Sequence, residues 1–273
     1  MLQPGDPALI LTLIGYLALI LLVGGLFFKK TQTLSDFFLA GRNLTTLPIA
    51  MTFAASWFGA SSTIASLDQM NTKGLSGLWD IAIPSLISCL LITFLMARPV
   101  ARQQTLSQPE AVEKHYGPLG RYILSFAILM AVTAMVGSQL VAAGKIFEIT
   151  LGLDLPTTLA LISTAIVCYS MLGGYFAVVM TDMLQLTLMI VGLVILALFS
   201  LNQIGWDWHA VTQAVETHRQ ADSFWSFGTN LTHNVFLSIS YVLGWIIAPE
   251  MWQRMTSTRN ENTAFQSAAS ASV

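Results

Sequence analysis

Long apolar runs, broken by short polar or glycine-containing stretches, make up most of the chain. Roughly 20 consecutive apolar residues cross a bilayer as an α-helix. About seven segments meet that length, at 8–28, 45–66, 78–97, 120–149, 155–172, 175–202 and 231–250. The ten-residue apolar/polar alternation of a transmembrane barrel is not found, so the pattern predicts an all-α integral membrane protein. Segment 8–28 exceeds the usual apolar core of a signal peptide and is followed by no small-residue cleavage site. It reads as a retained span. The stretch from Thr105 to Tyr116 reads as a loop with a short amphipathic helix.

Two runs carry irregularities that anchoring alone does not require. The first is YSMLGGYFAVVMTDMLQ, Tyr169 to Gln185. Its Gly173-Gly174 pair permits a tight turn, and its Asp182 needs water or a partner, because an ionised side chain in an apolar segment is costly. The second is AASWFGASSTIAS, Ala54 to Ser66, where small and hydroxyl residues crowd one span. Such a helix opens easily, and an unwound turn at mid-membrane is tolerated where it lines a cavity. There its free carbonyls can bind a hard cation, while the Ser61 and Ser62 hydroxyls meet a solute. The same residues also suit a close helix-packing face, and on the residues alone both readings stay open.

Composition agrees with the pattern: 55% of the chain is hydrophobic and 10% charged, against roughly a quarter charged in soluble domains. A net charge of -2 offers no basic surface for nucleic acid. Cys89 and Cys168 both lie inside apolar runs, which disfavours a disulfide framework or thiolate metal site. The histidines show no ligand spacing for zinc. No Walker-type loop or local serine, histidine and aspartate set points to ATP hydrolysis or another enzymatic activity. Basic residues are distributed unevenly. With the N-terminus outside, Lys29, Lys30, Arg42, Arg98, Arg102, Lys114, Arg121, Arg254 and Arg259 face inward, leaving only Lys73, Lys145 and Arg219 outside. The positive-inside rule selects that orientation, and it places Trp206, Trp208 and Trp225 at an external interface.

Four separated pieces, in order, resemble the sodium:solute symporter family. They are DFFLAGRN from Asp36 to Asn43, the stretch from Ala54 to Ser66, the Tyr169–Gln185 segment with its paired glycines and Thr-Asp-x-x-Gln ending, and PEMWQRM from Pro249. The resemblance covers the N-terminal part of the family's length. It implies a LeuT-type fold, with two five-helix repeats of inverted topology, in a single transmembrane domain over 1–273. Residues 8–28 become an extra helix, 45–202 the first repeat, and 231–250 the first helix of the second. The closing NENTAFQSAASASV reads as the entry to a further helix, so truncation at the C-terminus is expected.

The activity implied is sodium-coupled symport of a small organic solute across the cytoplasmic membrane. The alternatives are a sensory or regulatory symporter-like domain and an inactive fragment. The implied partners are the solute, sodium, the bilayer and the remaining helices of the same transporter; sodium is the only ion and no other cofactor is expected. By similarity, half of a sodium site comes from backbone carbonyls at Ala55 and Phe58. Trp57, Ser61, Ser62, Asp80, Tyr241 and Trp245 are candidate solute contacts. Trp57 offers a face for a quaternary ammonium, or is a lipid-facing or packing tryptophan. Asp80 binds solute or starts a helix, while Asp68 and Lys73 fall in an external loop and read as solvated. Asp182, placed near the cytoplasmic side, attracts exiting sodium, forms an added cation site or braces the turn. Glu250 and Arg254 stand four apart, the spacing of a helical ion pair.

Overall fold

The computed structural model describes residues 6–27, 31–218 and 224–272. Lys29, Lys30 and Arg219, used in the orientation argument, lie outside the described residues. Regular structure among the described residues is helical, with one isolated bridge between Leu44 and Thr258. The helices are α1 (Pro7–Phe27), α2 (Leu34–Leu39), α3 (Thr46–Ala55), α4 (Ala60–Lys73), α5 (Ala82–Leu91) and α6 (Ala97–Arg102). They continue with α7 (Gln108–Leu151), α8 (Leu155–Gln203), α9 (Trp208–His218), α10 (Leu231–Ile246), α11 (Pro249–Thr256) and α12 (Glu261–Ala271).

Local signals set the boundaries. Ser107 caps α7 by accepting from the Glu110 amide, Asp154 caps α8 through the Thr157 amide, and Asn260 caps α12 through the Thr263 amide. Thr33 and Asp36 form a reciprocal capping box on α2. Within α7, Gly117 adopts φ 72° and ψ -176° just before Pro118. Residues 108–116 therefore form a separate short arm, as expected for that loop-and-helix stretch.

Among the described residues, four helical runs are long and apolar enough to cross a membrane, or five if the bent pair α10 and α11 counts as one. The seven segments read from hydropathy map onto fewer helices for two reasons. Segments 155–172 and 175–202 are the two arms of α8, joined at Gly174, whose φ of 57° and ψ of -157° lie outside the helical region. Segment 45–66 divides into α3 and α4, and α3 is too short to cross alone.

The buried centre forms around α3. Ile49 and Phe53 are fully enclosed with Ile92, Val179, Met251, Met255 and Ala268, contributed by the segment after α5, the second arm of α8, α11 and α12. Helix α12 is docked: the Ser267 hydroxyl donates to the Thr46 carbonyl at 3.2 Å and the Cys89 thiol to the Ala268 carbonyl at 3.5 Å. The helical entry expected after Arg259 is present. Large apolar side chains such as Leu11, Phe126 and Ile195 remain exposed around α1, α7 and α8. An apolar belt of that extent suits lipid rather than water.

Candidate functional site

Two helix breaks meet inside the bundle. At the first, α3 ends with small residues and the chain turns through 3-10-type bonds, from the Trp57 amide to the Ala54 carbonyl and from the Phe58 amide to the Ala55 carbonyl, both 3.1 Å. Gly59 is then extended at φ -104° and ψ 167° before α4 begins. Ser62 closes the turn, with its hydroxyl 2.8 Å from the Trp57 carbonyl and 2.9 Å from the Gly59 amide. Its hydroxyl thus satisfies backbone groups that the break sets free.

Gln139 reaches across from α7, its Oε1 accepting from the Ser61 amide at 3.1 Å. Gln139 packs tightly on Gly59, where a Cβ would lie 2.5 Å from its amide nitrogen and would push the end of that side chain aside. Sequence reasoning missed Gln139, although it is the one amide side chain in the 120–149 run and therefore demands a partner.

The second break lies between α10 and α11, which meet at 44°. Pro249 opens α11, lacking the amide that would have continued α10. The Gln108 side-chain amide donates to the freed Ile247 carbonyl at 3.1 Å. The two breaks are joined by aromatic rings: Trp57 and Trp245 have centroids 5.4 Å apart, and Tyr241 and Trp245 5.9 Å apart. The Tyr241 hydroxyl is 3.1 Å from that of Ser85. The Trp57 indole nitrogen is buried and lacks a partner among the described residues. A cavity of 610 Å³, lined by Trp57, Phe58, Ser62, Ser66 and Ser85, flanks this cluster. Another of 540 Å³ touches Tyr241, Trp245, Gln108 and Met135.

The structure thus brings Ala55, Trp57, Phe58, Ser61 and Ser62 together at one break and Tyr241 and Trp245 against it. Asp80 stands apart. Its carboxylate takes the Lys73 ammonium at 3.0 Å, so Lys73 is paired rather than simply solvated. The neighbouring Trp79 indole donates to the Phe227 carbonyl at 3.1 Å.

Asp182, on the second arm of α8, faces α3 and α11. It accepts from the Thr52 hydroxyl and lies 3.6 Å from Arg254 Nη2. Arg254 also donates through Nε to the Thr52 carbonyl at 3.1 Å and through Nη1 to the Glu250 carbonyl at 3.0 Å. The pair expected between Glu250 and Arg254 is thereby corrected. The bend at Pro249 turns Arg254 inward, where it is 8% exposed and meets Asp182, and only the backbone of Glu250 serves it. Thr52 was also missed, since a threonine in an apolar helix carries no signal of its own.

Comparison with known proteins agrees with this architecture. A model of the sodium:solute symporter family matches residues 37–273. The chain is 28% identical to the osmoregulated proline transporter of Bacillus subtilis over 70% of its own length and 40% of that protein. It is 25% identical to rabbit (Oryctolagus cuniculus) sodium/glucose cotransporter 1 over 70% of itself and 29% of that protein. The high-affinity proline transporter of Bacillus subtilis is 27% identical over 68% of this chain and 41% of its own. These matches span less than half the length of the curated relatives. Among solved structures, a sodium-coupled sialic acid symporter in a substrate-bound outward-open state superposes with a TM-score of 0.81 at 18% identity. That superposition covers 97% of this chain and 56% of the symporter, and it supports the fold alone.

Proposed function

This chain belongs to the sodium:solute symporter family, and from that premise we propose that it supplies the first part of a secondary transporter carrying a small organic solute with sodium across the cytoplasmic membrane. One observation carries the reading: the two helix breaks lie face to face, with Trp57 and Trp245 5.4 Å apart. Broken helices at mid-membrane expose backbone groups that bind ions and solutes and that pure anchoring has no use for.

In this reading the carbonyls of Ala55 and Phe58 give sodium part of its oxygen shell, and helices beyond this chain complete it. Trp57, Tyr241 and Trp245 form the apolar wall of the solute site, with Ser61 and Ser62 at its polar edge. Asp80 serves in the outer ion pair with Lys73. Asp182 braces the inner end of the bundle and offers a carboxylate to sodium on its release path; its contacts with Thr52 and Arg254 support the bracing role. With α8 counted as two crossings, and α3 with α4 and α10 with α11 as one each, the chain makes about seven crossings. Its N-terminus lies outside. Sodium and solute are coupled because each favours one conformation by a differential binding energy.

The test is uptake by the full-length protein in proteoliposomes, with a panel headed by proline and glucose, with and without a sodium gradient. Accumulation that requires sodium is expected. Uptake driven equally by a proton gradient overturns the ion assignment, and no uptake across the panel overturns the transport reading.

A further inference from the structure

Helix α1 lies outside the paired breaks, yet it contacts α8 on both sides of its hinge. On the first arm, Gly24 backs onto Tyr169 so closely that a Cβ would lie 3.1 Å from the Tyr169 carbonyl oxygen. At the hinge, a Cβ on Gly173 would come within 2.8 Å of the Gly24 carbonyl oxygen. Just beyond α1, the Thr31 hydroxyl donates to the Gly173 carbonyl at 3.2 Å. Gly174 backs onto Phe37, where a Cβ would stand 3.0 Å from the carbonyl oxygen. On the second arm, the Gln185 side-chain amide donates to the Tyr16 hydroxyl at 2.8 Å.

We propose that α1 is a splint across the α8 hinge, and that Tyr16 and Gln185 are positioning residues that fix where Asp182 stands relative to Thr52 and Arg254. Gln185 follows Asp182 by three residues, so the two stand one turn apart on adjoining faces of the arm. The arm is therefore held from two directions: α1 grips it through Gln185, while α3 and α11 grip it through Asp182. A hydrogen-bonded amide resists rotation of the arm in a way that smooth apolar packing does not. The glycines at 24, 173 and 174 let α1 and the segment after it pack backbone-close against the hinge. The consequence drawn for cation coupling rests on the transport reading above; the splint itself does not.

The direct test measures the distance between the arms in the full-length protein in lipid nanodiscs. Spin labels go on the native, exposed Cys168 and on Val191→Cys, with buried Cys89 replaced by Ala. Tyr16→Phe removes the acceptor and keeps the ring. We expect a broader distance distribution in Tyr16→Phe than in the parent, and an unchanged distribution overturns the splint. In proteoliposomes, Tyr16→Phe and Gln185→Leu are each expected to raise the sodium half-saturation about threefold, the size of an average interhelical hydrogen bond in a membrane, with the maximal rate preserved. The double variant is expected to lose no more than either single one; additive losses overturn the tie as their origin. If the parent shows no sodium-dependent uptake, the transport reading fails while the distance measurement still decides the splint.

Discussion

A carboxylate on an apolar helix needs a counter-charge, and Arg254 is placed to supply one for Asp182. Removing one member of a buried pair leaves the other uncompensated, at a cost of about 3–5 kcal/mol. Arg254→Ala is therefore expected to lower stability by about that amount in detergent unfolding experiments. Adding Asp182→Asn to it is expected to restore part of the loss, and no recovery would count against the pairing. That Asp182 requires a partner is legible in the sequence. Which residue answers is not, because Arg254 becomes available only when the Pro249 bend turns it inward. At the surface, the carboxyls of Asp36 and Asp154 are held below the ordinary carboxylate range, chiefly by the hydroxyls and then the amides of Thr33 and Thr157. Lowered folded-state values stabilise above the unfolded carboxylate value of about 3.9 and lose that effect as pH falls through the folded values. The drop in melting temperature caused by Asp154→Ala is thus expected to be constant from neutrality to about pH 5 and to vanish in stronger acid.

Breaks, rather than lengths, distinguish these helices. Gly174 occupies a backbone region that is essentially reserved for glycine, so Gly174→Ala is expected to cost about 1–3 kcal/mol. Its Cβ would press on the Phe37 backbone, which cannot yield as a side-chain end does. At the other break, Gln139→Leu would leave the Ser61 amide without its acceptor, a loss of about 1–3 kcal/mol if the group stays dry. Faster hydrogen exchange at the Ser61 amide is the expected sign, and exchange at the parent's rate would show that another group replaces Gln139. Composition marked both breaks in advance through paired glycines and a cluster of small residues. Hydropathy could not say how α3 and α4 divide one span or how two arms share α8, because it measures apolar length and is blind to backbone direction.

On the scale of the whole molecule, two groups of polar ties stand apart from those at the breaks and the α8 hinge. Arg42 donates to the Gln104 carbonyl at 2.8 Å, Gln253 to the Phe38 carbonyl at 2.7 Å, and Arg102 meets Glu261 at 2.7 Å. The other group holds the Lys73–Asp80 pair and the Trp79–Phe227 contact. With the proposed orientation, the first group faces the inside. A membrane-impermeant thiol reagent applied to intact cells is expected to label His209→Cys and to spare Arg259→Cys, both exposed positions; the reverse pattern would invert the topology. By itself the sequence determined the solvent, the helical class, the family and the places where helices break, since each follows from local composition and short motifs. Only the tertiary structure decided that Trp57 meets Trp245, that Gln139 holds the Ser61 amide, that Arg254 answers Asp182 and that α1 grips both arms of α8. Those pairings join residues far apart in the chain, and packing geometry selects them from many partners that the sequence leaves equally available.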